Sequence, residues 1–231
     1  MRIFFFFFGS GKSTIIDAVR SYKTENGLID FGIYVNADDI VVKLKQSGLN
    51  FNDYHITSDE KEFYDIALAS GMVNTSFSLK TFKASYKINK QKLILIKQKK
   101  SEEMAQIIAD FLRKKLLTEG KKFTFETVFS HRSKLQIMKD AADKGYKVYF
   151  YFVSTSSPEI NKERVKLRVK LGGHSVPENK IVSRYHRALD LSYEASQLSY
   201  QSFFWDNSGK KHQLFANFKV KKKKKKWRIP D

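Results

Sequence analysis

The stretch with the clearest chemical meaning lies near the start of the chain. An apolar run over residues 3–8 leads into Gly9, Ser10, Gly11, Lys12, Ser13 and Thr14. A strand that turns at glycines and opens into a helix with Lys and Ser is typical of a phosphate-binding loop, because backbone N–H groups at the helix N-terminus point at phosphate oxygens. Lys12 would add a mobile positive charge, and the Ser13 hydroxyl would bind Mg²⁺. We therefore predict that these six residues bind nucleotide phosphates.

The front half of this loop departs from the usual phosphate-loop pattern. That pattern has a glycine at the place of Phe6, and Phe7 and Phe8 follow where its free positions stand. Phenylalanine does not readily adopt a positive φ angle, and its ring would crowd a bound pyrophosphate. The residues therefore predict a working or ancestral phosphate loop and leave its affinity for nucleotide open. The alternative is that the glycines and serine form an ordinary turn by chance and bind no phosphate.

A pair of carboxylates follows the second predicted strand. Residues 31–36 have the composition of a buried strand, and Asp38 and Asp39 come directly after it. In open α/β sheets, ligands bind beyond the C-terminal ends of the strands. Asp38, and less clearly Asp39, therefore has the place of a general base or of a Mg²⁺-organising carboxylate. The alternative, compatible with the first, is a helix N-cap, since Asp is a favoured capping residue.

A dense cationic segment lies in the second half of the chain. It contains Arg164, Lys166, Arg168, Lys170, Arg184 and Arg187, with His174 after two glycines. Arg164 and Arg168 share one helix face, and Arg184 and Arg187 share another. Converging guanidinium groups suit phosphoryl transfer, because they neutralise the charge that spreads over the transferred group. The alternative is a solvated basic face. His174 is interpreted as a hinge or hydrogen-bonding residue.

The elements that must position these residues alternate between strand and helix. We predict strands over residues 2–7, 31–36, 123–125, 146–153 and 202–205, with helices over about 12–23, 101–117 and 134–144 and another starting at 157–158. The strand at 123–125 delivers Glu126 and Thr127 to the edge where Asp38 lies. This alternation predicts an α/β fold with a doubly wound parallel sheet flanked by helices.

The middle of the chain has a weaker pattern. A capping box at 57–60 predicts a helix to about residue 70, and residues 80–100 alternate enough for a short hairpin. We predict one domain over residues 1–218, in which about 41–100 form an inserted substrate or lid region. Residues 214–218 are expected to add an edge strand. Residues 219–231 form a basic tail that we expect to be disordered or solvated.

Composition sets further bounds. The 231 residues carry a formal net charge of +19 and no cysteine, which excludes disulfides and thiolate metal sites. Neither a membrane-length apolar stretch nor a signal-peptide layout is evident, so we expect a soluble cytoplasmic protein. The charge favours polyanionic partners, nucleic acid among them, although the same lysine runs would follow from compositional bias.

Five motifs in order resemble a known family. Besides the glycine-lysine stretch they are Val35-Asn36-Ala37-Asp38, Phe125-Glu126-Thr127-Val128-Phe129-Ser130-His131, Gly172-Gly173-His174-Ser175-Val176-Pro177 and Asp206-Asn207-Ser208. Together, over residues 1–218, they resemble the zeta toxin-like P-loop kinases, a group also labelled predicted ABC-type ATPases. The departure lies at residues 6–8, where relatives have Gly-Pro-Asn.

The resemblance implies a kinase that uses ATP and Mg²⁺, with an arginine-bearing lid. Zeta toxins phosphorylate a sugar hydroxyl of UDP-N-acetylglucosamine and are paired with an antitoxin protein. By this similarity Lys12 would clamp the β- and γ-phosphates, Ser13 would hold Mg²⁺, and Asp38 would take the proton of the acceptor hydroxyl. The acceptor-positioning residues would be Glu126, Thr127 and Arg132. The γ-phosphate stabilisers would be Arg168 and Arg184, with Arg164 next.

Two other interpretations stay open at the level of sequence. One is a non-catalytic protein that binds nucleic acid through its lysine surface and carries a degenerate loop. The other is a decayed kinase that is kept as the partner of an antitoxin-like protein.

Overall fold

The computed structural model describes residues 1–7, 9–25, 27–128, 132–173, 175–221 and 224–228. His174 and part of the 125–131 motif lie outside the described residues, as does Phe8, so the interpretations placed on them stay predictions. Twelve strands lie in the described part of the chain: β1 Arg2–Phe6, β2 Lys23–Thr24, β3 Gly27–Leu28, β4 Ile33–Val35, β5 Leu49–Asn50, β6 Tyr86–Asn89, β7 Lys92–Leu95, β8 Phe123–Val128, β9 Tyr149–Ser154, β10 Gln201–Asp206, β11 Gln213–Lys221 and β12 Lys224–Arg228.

The helices of the described residues alternate with these strands as the sequence predicts. They are α1 Lys12–Ser21, α2 Ala37–Gln46, α3 Glu60–Leu68, α4 Leu79–Lys83, α5 Ser101–Thr118, α6 Ser133–Asp143, α7 Pro158–Lys170 and α8 Glu178–Leu198, with 3₁₀ turns at Phe51–Tyr54 and Gln98–Lys100. The α/β class, with mostly parallel strands flanked by helices, is confirmed.

The chain divides into two compact units. The first contains Met1–Phe31 and Glu126–Asp231, and the second contains Gly32–Phe125. The predicted single domain, with its insertion over about 41–100 and its tail over 219–231, stays a prediction.

The first unit is built on a sheet with the order β12-β11-β10-β9-β1. Strand β9 lies between β1 and β10 and is parallel to both, whereas β11 and β12 are antiparallel to their neighbours. Aromatic and β-branched residues dominate β1 and β9, as expected for strands that are buried on both faces. The strands that are buried on both faces therefore belong to the parallel part of this sheet, and the antiparallel strands β11 and β12 extend it on one side.

The phenylalanine side chains of β1 form the core on both faces of the parallel strands. Phe4 and Phe6 share a buried cluster with Ile15, Ile16 and Val19 of α1, while the Phe5 ring contacts Phe150 and the Phe7 ring contacts Phe152 and Tyr185. Successive side chains of a strand point to opposite faces, so the run covers both sides of β1. The expectation that Phe6 and Phe7 fill the front of the phosphate loop is wrong, because Phe6 still belongs to the strand and Phe7 is buried in the core behind it.

The second unit combines a parallel strand pair with a small antiparallel sheet. Residues 33–35 of β4 pair with residues 123–125 of β8, which then continues into the first unit. Strands β5, β7 and β6 form the antiparallel sheet. Its core is a cluster of rings in which Phe63 contacts Phe51, Phe82, Tyr86 and Phe111.

Several predicted elements are confirmed in the weakly patterned middle and at the end. The predicted helix is α3, but its N-cap is Asp59, which accepts the N–H of Glu62 at 2.7 Å, two residues after the start of the predicted capping box. The predicted hairpin is β6 and β7. The strand predicted over residues 214–218 is β11, but its predicted place at the edge of the sheet is wrong, because β11 pairs with β10 on one side and with β12 on the other. Of the two alternatives for the basic tail, disorder is wrong for residues 224–228, which pair with β11 as β12, whereas the expectation of solvated lysines stays a prediction.

No helix in the described part of the chain combines the length and the apolar character needed to cross a membrane.

Replacing Phe63 by alanine should destabilise the protein strongly. The side chain is fully buried and contacts four other rings, so its loss should cost about 3–5 kcal/mol of unfolding free energy. Denaturant unfolding followed by circular dichroism measures this value. Leu79→Ala is the control, because Leu79 is 44% exposed and should cost less than about 1 kcal/mol. Equal losses in both variants would contradict the described core.

Tyr54 should make stability depend on alkaline pH. Burial, with Asp39 and Asp53 nearby, raises the pKa of Tyr54 from 10.0 to about 12. Between these values the unfolded chain loses a proton that the folded chain keeps, so stability falls as the pH rises from 10 towards 12. From pH 9 to 11, the wild type should lose about 1 kcal/mol more unfolding free energy than Tyr54→Phe. Identical slopes would show that Tyr54 is not buried as described.

Candidate functional site

The glycine loop connects the end of β1 to the start of α1. Gly9 and Gly11 adopt positive φ angles of 74° and 77°, and the N–H of Ser10 donates to the carbonyl of Phe7 at 3.2 Å. Gly11 is the N-cap of α1 in the left-handed region. The loop is thus a tight turn that fixes the direction in which α1 leaves the sheet.

Both glycines are required by close neighbours. A Cβ atom on Gly11 would lie 2.1 Å from Nδ2 of Asn207, and one on Gly9 would lie 2.7 Å from the carbonyl oxygen of Asn161. Real Cβ atoms do not make such contacts, and the left-handed backbone adds strain for other residues. The backbone of the loop therefore packs directly against two segments that are distant in sequence.

Two side chains hold the carbonyl side of the loop. Nδ2 of Asn207 donates to the carbonyl of Ser10 at 2.8 Å. The guanidinium of Arg164 donates to the carbonyl of Gly9 at 3.4 Å and to that of Ser208 at 3.2 Å. These bonds fix the loop from one side.

The trans peptide geometry then sets the direction of the loop amides. Within one peptide unit the C=O and N–H bonds point in opposite directions. Because the Ser10 carbonyl points to Asn207, the N–H of Gly11, which belongs to the same peptide unit, points away from Asn207. The loop therefore presents an amide hydrogen beside the N-terminus of a helix, which suits a bound anion.

The first turn of α1 has the character of an anion site. No side chain caps it, and it contains no acidic residue. Ser13 and Thr14 are exposed, and Lys12 is half-buried. Ser10 is buried, and among the described residues its Oγ has no hydrogen-bond partner. The residues present fit a phosphate at this turn, with Ser13 at the surface to reach a metal ion bound to that phosphate.

The turn after β10 supports Asn207. The N–H of Asn207 donates to the carbonyl of Ser154 at 2.9 Å, the Asp206 carboxylate accepts the N–H of Ser208 at 2.9 Å, and the Ser208 hydroxyl accepts the N–H of Ser156 at 2.7 Å. Asn207 is buried. These bonds hold the backbone of the turn in place, and the buried side chain of Asn207 extends from it to the Ser10 carbonyl.

A second buried network lies beneath α7. The Thr155 hydroxyl is hydrogen-bonded to Oδ1 of Asn161, and the Tyr185 hydroxyl donates to the Thr155 carbonyl at 2.8 Å. Thr155 and Asn161 are both buried. This network ties α7 and α8 to the end of β9, and through Asn161 it sets the position of Gly9.

The loop lysine contacts a carboxylate and a ring. Nζ of Lys12 lies 3.1 Å from Oε2 of Glu126 and 4.8 Å from the centroid of the Phe6 ring. Glu126 is buried, with 4% of its side chain exposed. The structure thus brings together Lys12 and Glu126, which sequence reasoning assigned to different substrates.

The remaining predicted arginines differ in their surroundings. Arg168 is exposed one turn after Arg164, and Arg184 is half-buried on α8. Partial burial, with Arg187 as a nearby second cation, lowers the pKa of Arg184. Two cations in such a position favour an anion next to them.

The two other predicted residues of this unit lie near the end of β8. Arg132 forms an exposed ion pair with Glu194 at 2.6 Å. Thr127 is half-buried, and its hydroxyl donates to the Val128 carbonyl at 3.4 Å. The acceptor-positioning role of both stays a prediction.

Asp38 lies in the first turn of α2, within the second unit, and is exposed. The alternative role as N-cap falls to Asn36, whose side chain accepts the N–H of Asp38 at 2.8 Å. Asp38 therefore does not cap the helix, and its role as a general base stays a prediction.

Sequence reasoning missed Asn207 and Asn161 as supports of the loop. The signal for Asn207 was present, since Asp206-Asn207-Ser208 was singled out, but as a turn and a family motif. No sequence signal shows that its amide reaches a residue 197 positions away.

Comparisons with known proteins give limited matches. No family model matches the chain. An uncharacterized protein of Haemophilus influenzae is 38% identical over 63 residues, which cover 27% of this chain and 45% of that protein. The chain thus spans less than half the length of this curated relative.

Two solved structures are similar at low identity. One belongs to a study of the PezAT chromosomal toxin–antitoxin system of Streptococcus pneumoniae. It is 13% identical to this chain, the match covers 92% of this chain and 71% of that chain, and the TM-score is 0.48. The other is the AvrRxo1-ORF1:AvrRxo1-ORF2 complex with sulphate ions. It is 12% identical to this chain, the match covers 94% of this chain and 58% of that chain, and the TM-score is 0.49. At TM-scores below 0.5, the fold assignment depends on the strands and the glycine loop of this chain itself.

Replacing Asn207 by aspartate should destabilise the loop. The change keeps the size of the side chain but places a carboxylate oxygen where Nδ2 now donates to the buried Ser10 carbonyl, at a cost of about 1–3 kcal/mol in unfolding free energy. Denaturant unfolding measures this cost. Asn52→Asp makes the same change at an exposed position and should be nearly neutral. A neutral Asn207→Asp would contradict the described bond.

Proposed function

We propose that this chain is an ATP-dependent phosphotransferase of the zeta toxin-like P-loop kinase family. The observation that carries the proposal is the braced glycine loop, whose carbonyls are held by Asn207 and Arg164. This bracing leaves the uncapped N-terminus of α1, with Lys12 and Ser13, to receive an anion. The resemblance of the five sequence motifs leads us to propose the family, and the geometry of the loop gives a physical reason for phosphate binding.

The shortened loop changes which residues meet the nucleotide. Since Phe6 and Phe7 belong to the core, phosphate contacts come from Gly9, Ser10, Gly11, Lys12, Ser13 and Thr14 alone. Lys12 binds the β- and γ-phosphates, and Ser13 holds Mg²⁺. The bound ion supplies charge neutralisation for the transferred phosphoryl group.

The acceptor side of the reaction uses the other predicted residues. Asp38 accepts the proton of the attacking hydroxyl, and Glu126, Thr127 and Arg132 orient the acceptor. Arg168 and Arg184 stabilise the charge on the transferred group. The half-buried position of Arg184, with the exposed Arg187 nearby, supports the role of Arg184. Arg164, which contacts the loop backbone, acts mainly by holding the loop.

The acceptor that we propose is a hydroxyl of a small anionic molecule such as a UDP-amino sugar. The resemblance also leads us to propose an antitoxin protein as partner and the cytoplasm, where ATP is available, as the place of action. Positioning and cation clamping supply most of the catalysis in such a reaction.

Nucleotide binding should depend on Lys12. Calorimetric titration with MgATP should give micromolar affinity for the wild type, and Lys12→Ala should weaken it by at least about tenfold because a charge-assisted contact to phosphate is lost. Glu25→Gln, which removes an exposed charge in the first unit, is the control. Absence of MgATP binding by the wild type would show that the loop no longer works and would favour the binding-protein interpretations.

Phosphoryl transfer should depend on Asp38. With UDP-N-acetylglucosamine as the probe acceptor, mass spectrometry should detect a phosphorylated product whose rate of formation falls by about 10²–10⁴ in Asp38→Asn, the usual contribution of a general base. Its MgATP affinity should stay within about twofold, since the role assigned to Asp38 is in proton transfer. Asp39→Asn, the adjacent exposed carboxylate, is the matched control. Full activity in Asp38→Asn would contradict the assignment.

A further inference from the structure

The lysine that would bind nucleotide already has an anionic partner in this protein. Nζ of Lys12 lies 3.1 Å from a carboxylate oxygen of Glu126, at the point where β8 has entered the first unit. Lys12 is 26% exposed and Glu126 only 4%. The pair is therefore an ion pair on the inner side of the loop and not a solvated surface contact.

Phe6 contributes to the same arrangement. Its ring centroid lies 4.8 Å from the Lys12 ammonium group, and the face of an aromatic ring attracts a cation. Phe6 stands where the phosphate-loop pattern has a glycine, and a glycine has no side chain to offer. The departure from the pattern thus adds a second contact that holds Lys12 beside Glu126.

We propose that Glu126 competes with nucleotide for Lys12 and so limits nucleotide binding. This proposal rests on the proposed function. In the protein without nucleotide, Glu126 and the Phe6 ring hold the ammonium group. A triphosphate binds productively only when Lys12 leaves this position, and its affinity is reduced by the fraction of time that Lys12 spends there.

Burial makes this competition costly for the nucleotide. When Lys12 turns to a phosphate, the buried carboxylate of Glu126 loses the attraction of this cation while it stays shielded from water, and separating a buried pair of opposite charges is unfavourable. The negative triphosphate does not compensate for this loss. The exchange therefore opposes nucleotide binding.

Glu126→Gln tests the competition. The amide keeps the size of the side chain but carries no negative charge, so the ion pair with Lys12 is replaced by at most a weaker hydrogen bond. MgATP affinity, measured by calorimetry, should rise about tenfold, as expected if Lys12 spends about nine-tenths of its time on Glu126. Glu126→Asp, which withdraws the carboxylate by one methylene group, should raise the affinity in the same direction and provides a second test if the amide variant does not fold.

The Lys12→Ala background separates competition from simple charge repulsion. Without Lys12 there is nothing to compete for, so adding Glu126→Gln should leave MgATP affinity unchanged within about twofold, whereas repulsion between Glu126 and the triphosphate would give the same gain in both backgrounds. Asp17→Asn, which removes an exposed carboxylate from α1, controls for net charge.

The outcomes are distinguishable. Tighter binding by Glu126→Gln only when Lys12 is present supports the proposal. An equal gain in both backgrounds, or no gain with Lys12 present while Lys12→Ala still weakens binding, overturns it and leaves the proposed function intact. An absence of MgATP binding by the wild type and all variants overturns the proposed function and the competition together.

Discussion

The geometry of the candidate site depends on the hydrogen bond from Asn207 to the carbonyl of Ser10, at 2.8 Å in the buried interior of the first unit. A glycine turn between a strand and a helix has many accessible conformations, because glycine adopts positive and negative φ angles almost equally. The Asn207 amide selects one of them, and Arg164 adds a second bond to the next carbonyl. With its carbonyls held by Asn207 and Arg164, the loop directs the amide of Gly11 away from Asn207.

This arrangement explains how a loop without its usual front half keeps a defined shape. In the phosphate-loop pattern, additional residues wrap around the phosphates. Here Phe6 and Phe7 are part of the core, and both faces of β1 are packed with rings. The core gains apolar burial from these side chains. The phosphate loop is correspondingly shorter, and its two glycines pack against the segments that carry Asn161 and Asn207.

Two cations of the first unit, Lys12 and Arg184, are partly shielded from water. Lys12 lies against the buried carboxylate of Glu126, and Arg184 lies half-buried near Arg187. Buried and half-buried charges are costly unless they have partners. Such groups occur most often where charge is bound or moved. The many lysines, in contrast, account for much of the net charge of +19. Net charge of this kind affects solubility and the rate of association with charged partners, and it does not specify the fold.

The sequence by itself determined the order of elements and the identity of the loop. The periodicity of α5, the aromatic strand β9 and the glycine-lysine stretch are local patterns, because each depends on residues that are close in the chain. The role of Phe6 in the core, the contact of Asn207 with Ser10 and the pairing of Lys12 with Glu126 were decided by the tertiary structure. Local spacing does not encode which side of a strand a helix covers or which side chain reaches a carbonyl 197 positions away; these contacts follow from how the strands of the first unit are ordered and packed.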